Sequence, residues 1–129
     1  MTWDLLCYHD QNGQCDICDW YNALPSNDKG RWDNVFKYLK AAPRDKWVRP
    51  QVGVLHGPTC NDLYEARFKF GRVQHRPIFF FGPNQNQVTF LIYAKEVGGK
   101  LIPRNACQSA SSVMANIKNN PSRIHKCPF

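Results

Sequence analysis

Residues 63–82 read LYEARFKFGRVQHRPIFFFG. Arg67, Lys69, Arg72, His75 and Arg76 interrupt a run that otherwise has the apolar and aromatic character of buried strand. Cations weaken such a strand unless they sit on its solvated face or act there. Residues two apart on a strand share a face, so Arg67 and Lys69 point the same way. Arg76 opens a second strand-like segment just past a short turn, and Lys95 ends a third. Tyr93, two before Lys95, shares its face. Such a group suits a phosphodiester. In RNA the 2′-hydroxyl attacks the adjacent phosphorus, giving a 2′,3′-cyclic phosphate and a free 5′-hydroxyl. The site must accept the 2′-OH proton, neutralise the phosphorane and protonate the leaving oxygen. Guanidinium groups are permanently charged and hold two phosphate oxygens in a fork, so Arg67 and Arg76 are assigned the second task.

The proton acceptor has several candidates. A lysine crowded by other cations gives up its proton more readily, which admits Lys69 or Lys95. His75 titrates near neutrality without help. His75 and Arg76 are adjacent, however, so they point oppositely, and Arg76 is expected to face the site. Tyr93 is placed to stack on a base or donate a proton. The plain alternatives are a solvated sheet face for Arg67 and Lys69, and a structural pair between Arg76 and Glu65 across the hairpin. Ile78, Phe79, Phe80 and Phe81 read as core. The sequence shows no conspicuous Asp/Glu cluster, so neither metal nor cofactor is expected.

The elements that must position these residues follow from periodicity. Residues 2–9 read as a strand, and DQNG as the break after it. In residues 15–24, Ile17, Trp20, Tyr21 and Leu24 have helical spacing. Pro25 and Ser26 end that helix, and Asn27 or Asp28 can cap the next, over residues 29–42. There Trp32, Val35, Phe36 and Leu39 form the apolar stripe, and Pro43 stops it. A connector of ~20 residues follows, and Trp47, Val54 and Leu55 suggest that it is ordered against the core. Residues 63–70, 74–81 and 87–95 read as three strands joined by hairpin-length turns, hence antiparallel. Residues 104–120 read as a closing helix with Ala106, Ala110, Val113, Met114 and Ile117 inward, and residues 122–129 as a loose tail. The expected fold is one small α+β domain over residues 1–129, in the order β-α-α-β-β-β-α, with helices packed on an antiparallel sheet.

Lys plus Arg number 17 against 10 Asp plus Glu, a formal net charge of +7, which points to a polyanionic partner. The first 28 residues hold Asp4, Asp10, Asp16, Asp19 and Asp28 and no Lys or Arg, so the basic excess is localised beyond them. No apolar run is long enough to span a membrane, and the opening residues lack a basic n-region, so a cytoplasmic location is expected. On that basis the six cysteines are expected to be reduced thiols. Cys15 and Cys18 form one CxxC that could begin a zinc site, with His9 nearby and His125 and Cys127 at the far end. With no second CxxC, they read instead as small buried side chains on one helix face. Cys60 and Cys107 suggest no chemistry.

The element order and several motifs resemble the RelE/HigB superfamily of toxins from type II toxin–antitoxin systems, closest to its phage-associated branch. The residues carrying the likeness are Leu63, Tyr64, Glu65 and Arg67 at a strand start, then Gly71, Arg72, Val73 and Arg76. Lys95, Pro103 and Ala106 follow, and Tyr8, Gly13, Ala23, Leu24 and Pro25 match near the start. The resemblance spans nearly the whole chain. It implies a RelE-like fold, cleavage of messenger RNA on the ribosome without metal or cofactor, and a cognate antitoxin covering the cationic face. Catalytic candidates are then Arg67, Lys69, His75, Arg76, Tyr93 and Lys95, with Arg72, Lys100 and Arg104 contacting RNA. Two positions depart from the family pattern: Glu96 stands where a second lysine is common, and His75 where tyrosine is. The same fold also serves as a binder without nuclease activity, either as a gyrase inhibitor or as a phage protein blocking a host factor.

Overall fold

The computed structural model describes residues 2–129 and shows a mixed α+β domain. β1 (Asp4–Tyr8) is followed by α1 (Asp16–Asn22) and α2 (Ser26–Ala41). A short turn of 3-10 helix at Arg44–Lys46 leads to β2 (Val52–Val54). Then come β3 (Tyr64–Ala66), β4 (Phe68–Phe70), β5 (Val73–His75), β6 (Ile78–Phe81), β7 (Gln87–Ile92), β8 (Lys95–Val97) and β9 (Lys100–Ile102). α3 (Ala106–Asn119) and β10 (Ile124–Lys126) complete the chain.

The three strands expected between residues 63 and 95 are each broken in two, and the halves enter different sheets. The larger sheet has the order β10-β1-β7-β6-β3-β2, and the smaller β4-β5-β8-β9. The breaks fall at Arg67, at Arg76–Pro77 and at Tyr93–Ala94. Pro77 has no N–H to continue a ladder, which supplies a local cause for one of them. Backbone bonds sew the breaks together: Ala66 N–H donates to Pro77 O at 2.9 Å, and Arg76 N–H to Ala94 O at 2.7 Å. The larger sheet is not wholly antiparallel as expected. β1 runs parallel to β7, and the long connection that parallel pairing requires contains α1, α2 and strands β2 to β6.

Alternation along the strands divides the core. Phe79, Val88 and Phe90 join Trp32, Phe36 and Leu39 of α2 and Trp47 in one buried cluster. Ile78, Phe80 and Leu91 join Ala106, Ala110 and Ile117 of α3 in a second. The periodicity of the helices was thus a sound guide to their inward faces. α2 begins earlier than expected, with Pro25 at the cap position and no side-chain cap, rather than with Asn27 or Asp28 capping. The connector is ordered through Trp47, 1% exposed, whose Nε1–H donates to Leu39 O at 3.0 Å; Val54 faces solvent.

Two expectations are corrected. Residues 122–129 are not a loose tail: β10 pairs antiparallel with β1, and the Phe129 ring lies 5.1 Å from Trp32 and 5.5 Å from Phe90. An unsatisfied edge of β1 and an aromatic cluster hold them. The cysteines are not separate thiols: Cys7–Cys127, Cys15–Cys18 and Cys60–Cys107 are bonded. Folding brings their Cα atoms to 5.1, 5.2 and 5.0 Å, within bonding range. Among the described residues, no helix is long and apolar enough to cross a membrane.

Candidate functional site

The breaks between the two sheets position the cations. Arg67 occupies the single-residue gap between β3 and β4, where its N–H bonds Gln51 O at 2.8 Å. Lys69 follows at the centre of β4, exposed, with no ion pair among the described residues. Arg76 lies at the gap between β5 and β6. With Arg49, Pro50 and Phe68, these three line one open cleft of ≈ 450 Å³. Four cations from three separate stretches of chain therefore meet at a single concavity. At the acid-rich start of the chain, another cleft is lined by Asp10, Asp16 and Asp19, so these two clefts carry opposite signs of charge.

The cleft cations are not equivalent. Arg76 is 4% exposed and its donors are engaged: Nε to Glu96 Oε1 at 3.2 Å, NH1 to His75 O at 2.8 Å and NH2 to Gln74 Oε1 at 2.7 Å. Glu65, also buried, lies 4.0 Å from Arg76 Nε and pairs with Arg67 NH1. A buried carboxylate is tolerated only when paired, and here it serves two guanidiniums. The cross-hairpin pair of Arg76 and Glu65 is thus present. Arg67 is partly exposed, and Lys69 and Arg49 are exposed, so these three can approach an anion.

Gly53 permits this arrangement. It stands opposite Glu65 in the β2–β3 ladder, and an added Cβ would lie 3.0 Å from Glu65 Oε2 and 3.3 Å from Arg67 Cδ. Gly53→Ala is expected to displace the Glu65–Arg67 pair and lower stability by about 1–3 kcal/mol. Urea unfolding of the two proteins checks this; an unchanged midpoint would show that the pair has room to move.

The remaining sequence candidates form a second group. In the smaller sheet, Phe68, His75, Lys95 and Ile102 lie opposite one another in register, as do Lys69, Gln74, Glu96 and Leu101. Directly paired residues share a face, so Lys95 and His75 lie on the side away from Lys69. His75 and Arg76 do point oppositely, as strand alternation requires. His75, 8% exposed, receives the Trp20 Nε1–H on Nδ1 at 3.2 Å and has Tyr93 Oη at 2.7 Å from the same nitrogen. An indole N–H only donates, so Nδ1 accepts and the neutral ring carries its proton on Nε2. Tyr93 N–H donates to Asp16 Oδ2 at 2.7 Å, which ties this group to α1. Arg72, Lys100 and Arg104 are exposed and outside the cleft lining. Arg49 carried no sequence signal, because its approach to Arg67 depends on β2 pairing with β3.

Burial lowers the pKa of His75, and the Arg76 and Lys95 charges add to this against the opposing charge of Asp28. Burial likewise raises that of Tyr93, aided by Asp16, which keeps the phenol protonated. Unfolded, the His75 imidazole takes up a proton near pH ~6.5; folded, it does so only at lower pH. Between those points the unfolded chain binds more protons, so this contribution is full above about pH 6.5 and is lost as pH falls below it. Thermal unfolding between pH 5 and 8 is expected to show a steeper acid loss in the wild type than in His75→Gln. Parallel curves would contradict the assignment.

In comparisons with known proteins, no family model, no curated protein and no solved structure matches this chain.

Proposed function

We propose that the chain is a RelE/HigB-like toxin of a type II toxin–antitoxin system, a metal-independent endoribonuclease acting on ribosome-bound messenger RNA in the cytoplasm. One observation carries the reading: Arg49, Arg67, Lys69 and Arg76 line a single cleft. A phosphodiester backbone is the polyanion that such a cleft suits. In this scheme Arg67 and Arg49 neutralise the phosphorane. Lys69, exposed in the cleft, is the group placed to take the 2′-OH proton. Arg76 is a positioning residue: it holds Glu65, which orients Arg67. A cognate antitoxin would mask the same cations with carboxylates.

A specific observation favours a second reading, a RelE-fold binder without nuclease activity. Arg76 spends its donors inside the protein, and His75 and Tyr93 sit on the other side of the smaller sheet. The cleft therefore supplies charge more plainly than proton transfer. Cell-free translation with purified protein separates the two, with message ends mapped by primer extension. The nuclease predicts inhibition with new 5′-hydroxyl ends opposite 2′,3′-cyclic phosphates. Intact message with or without inhibition excludes it; gyrase inhibition or capture of a host factor would then support the binder.

A further inference from the structure

Outside the lining of the cationic cleft, four cysteines and two histidines gather near one another. The sulfurs of Cys7, Cys15 and Cys18 lie within 4.8 Å of one another, two of them deeply buried. Cys127 is bonded to Cys7, which places a fourth sulfur beside the group. Three separate stretches contribute: the end of β1, the start of α1, and the residue after β10. The Cys18 backbone N–H donates to Cys15 Sγ at 3.1 Å. His9 Nε2 stands 3.9 Å from Cys18 Sγ, and the His9 and His125 rings stack edge to face at 4.6 Å.

We propose that, in a reducing compartment, Cys7, Cys15, Cys18 and Cys127 form a structural tetrathiolate Zn²⁺ site. A tetrahedral zinc with bonds of about 2.3 Å requires sulfurs about 3.8 Å apart. Cys7, Cys15 and Cys18 already lie within 4.8 Å of one another, and once reduced the bonded pairs must open to that spacing, with Cys127 brought in by its place beside Cys7. The CxxC supplies two ligands from one turn, and its amide-to-sulfur bond is the kind of outer contact that fixes a thiolate ligand. The Cys15–Cys18 bond closes so short a loop that it constrains the unfolded chain little, whereas the same two sulfurs on zinc would tie α1 to β1 and β10. This inference does not rest on the proposed ribonuclease activity.

The chemistry balances with a small-molecule thiol as reductant. Four RSH reduce the two disulfides, leaving as two RSSR and delivering four electrons and four protons. The four cysteine thiols then release four protons as Zn²⁺ binds. Cys60–Cys107, placed in the other core cluster, takes no part.

The test titrates Zn²⁺ into anaerobically reduced protein against a chromophoric chelator, and repeats it with Co²⁺. One zinc per chain is expected at about nanomolar affinity or tighter. The cobalt spectrum should be that of a tetrahedral four-thiolate site. Cys15→Ser is expected to weaken zinc binding at least about 100-fold. Cys18→His should retain the metal and move the cobalt spectrum to three thiolates and one nitrogen, a readout that a misfolded chain would not give. His9→Ala should leave the four-thiolate spectrum intact, and the pair Cys60→Ser with Cys107→Ser should leave the stoichiometry intact. Reduced wild type that leaves zinc with the chelator would overturn the site, as would zinc binding unaffected by Cys15→Ser.

Discussion

A chain ending at Asn120 is expected to lose about 4–6 kcal/mol of stability, enough to unfold much of a typical domain population. Nine residues at a terminus rarely matter so much. Here Phe129 inserts its ring among Tyr21, Trp32, Phe36 and Phe90, at 5.1, 5.1, 5.8 and 5.5 Å. Removing a buried phenylalanine costs about 3–5 kcal/mol, and Phe129 is half-buried, so its share lies near the lower figure. The truncation also strips the pairing of Leu6, Cys7 and Tyr8 with Lys126, His125 and Ile124, and leaves Cys7 without Cys127. Urea unfolding checks the value, and Phe129→Ala isolates the ring. A truncated protein within about 1 kcal/mol of full length would contradict the packing described here.

The second large effect concerns activity. Arg67→Ala is expected to lower kcat/KM for RNA cleavage by about 10²–10³-fold, the usual loss when one transition-state donor is removed. Arg67 also pairs with Glu65, so some of that loss would pass through structure. Lys69→Ala is the cleaner companion, since Lys69 is exposed and makes no ion pair among the described residues. It should lose activity with an unchanged unfolding midpoint. Arg76→Ala is a poor probe of chemistry. It would leave Glu96 without its partner and Glu65 with Arg67 alone beside a vacated buried site, destabilising the fold by about 3 kcal/mol whether or not Arg76 meets RNA. Activity lost in that variant with stability retained would show that its part is larger than positioning.

The helices were legible in the sequence because amphipathic spacing is local: Ile17 and Tyr21, Trp32 and Phe36, and Ala106 and Ala110 each fall on one buried face. The three central strands were legible as extended chain, but not as strands that change sheet. Pro77 was the available clue; the breaks at Arg67 and Tyr93 have none, since they depend on what the neighbouring strands do. Spacing put Arg67 and Lys69 on one face and Arg76 just past a turn, but whether these and Lys95 converge depends on register, which the sequence leaves open. Register settles it for Lys95: β8 begins a new strand after the break at Tyr93–Ala94, and its pairing with His75 puts Lys95 on the face away from Lys69. Disulfide pairing and the order of the tail are long-range properties. Cys7 meets Cys127 across a separation of 120 residues, and no local pattern in Ile124, His125 and Lys126 announces a partner strand.

The cleft's role is tested most directly by comparing Lys69→Glu with Lys95→Glu on the same ribosome-bound message. Both substitutions change net charge equally, on opposite faces of the smaller sheet. Lys69→Glu should slow cleavage at least about 100-fold, and Lys95→Glu less than about tenfold. Equal losses in the two variants, or message left whole by the wild-type protein, would contradict a ribonuclease centred on Arg67 and Lys69.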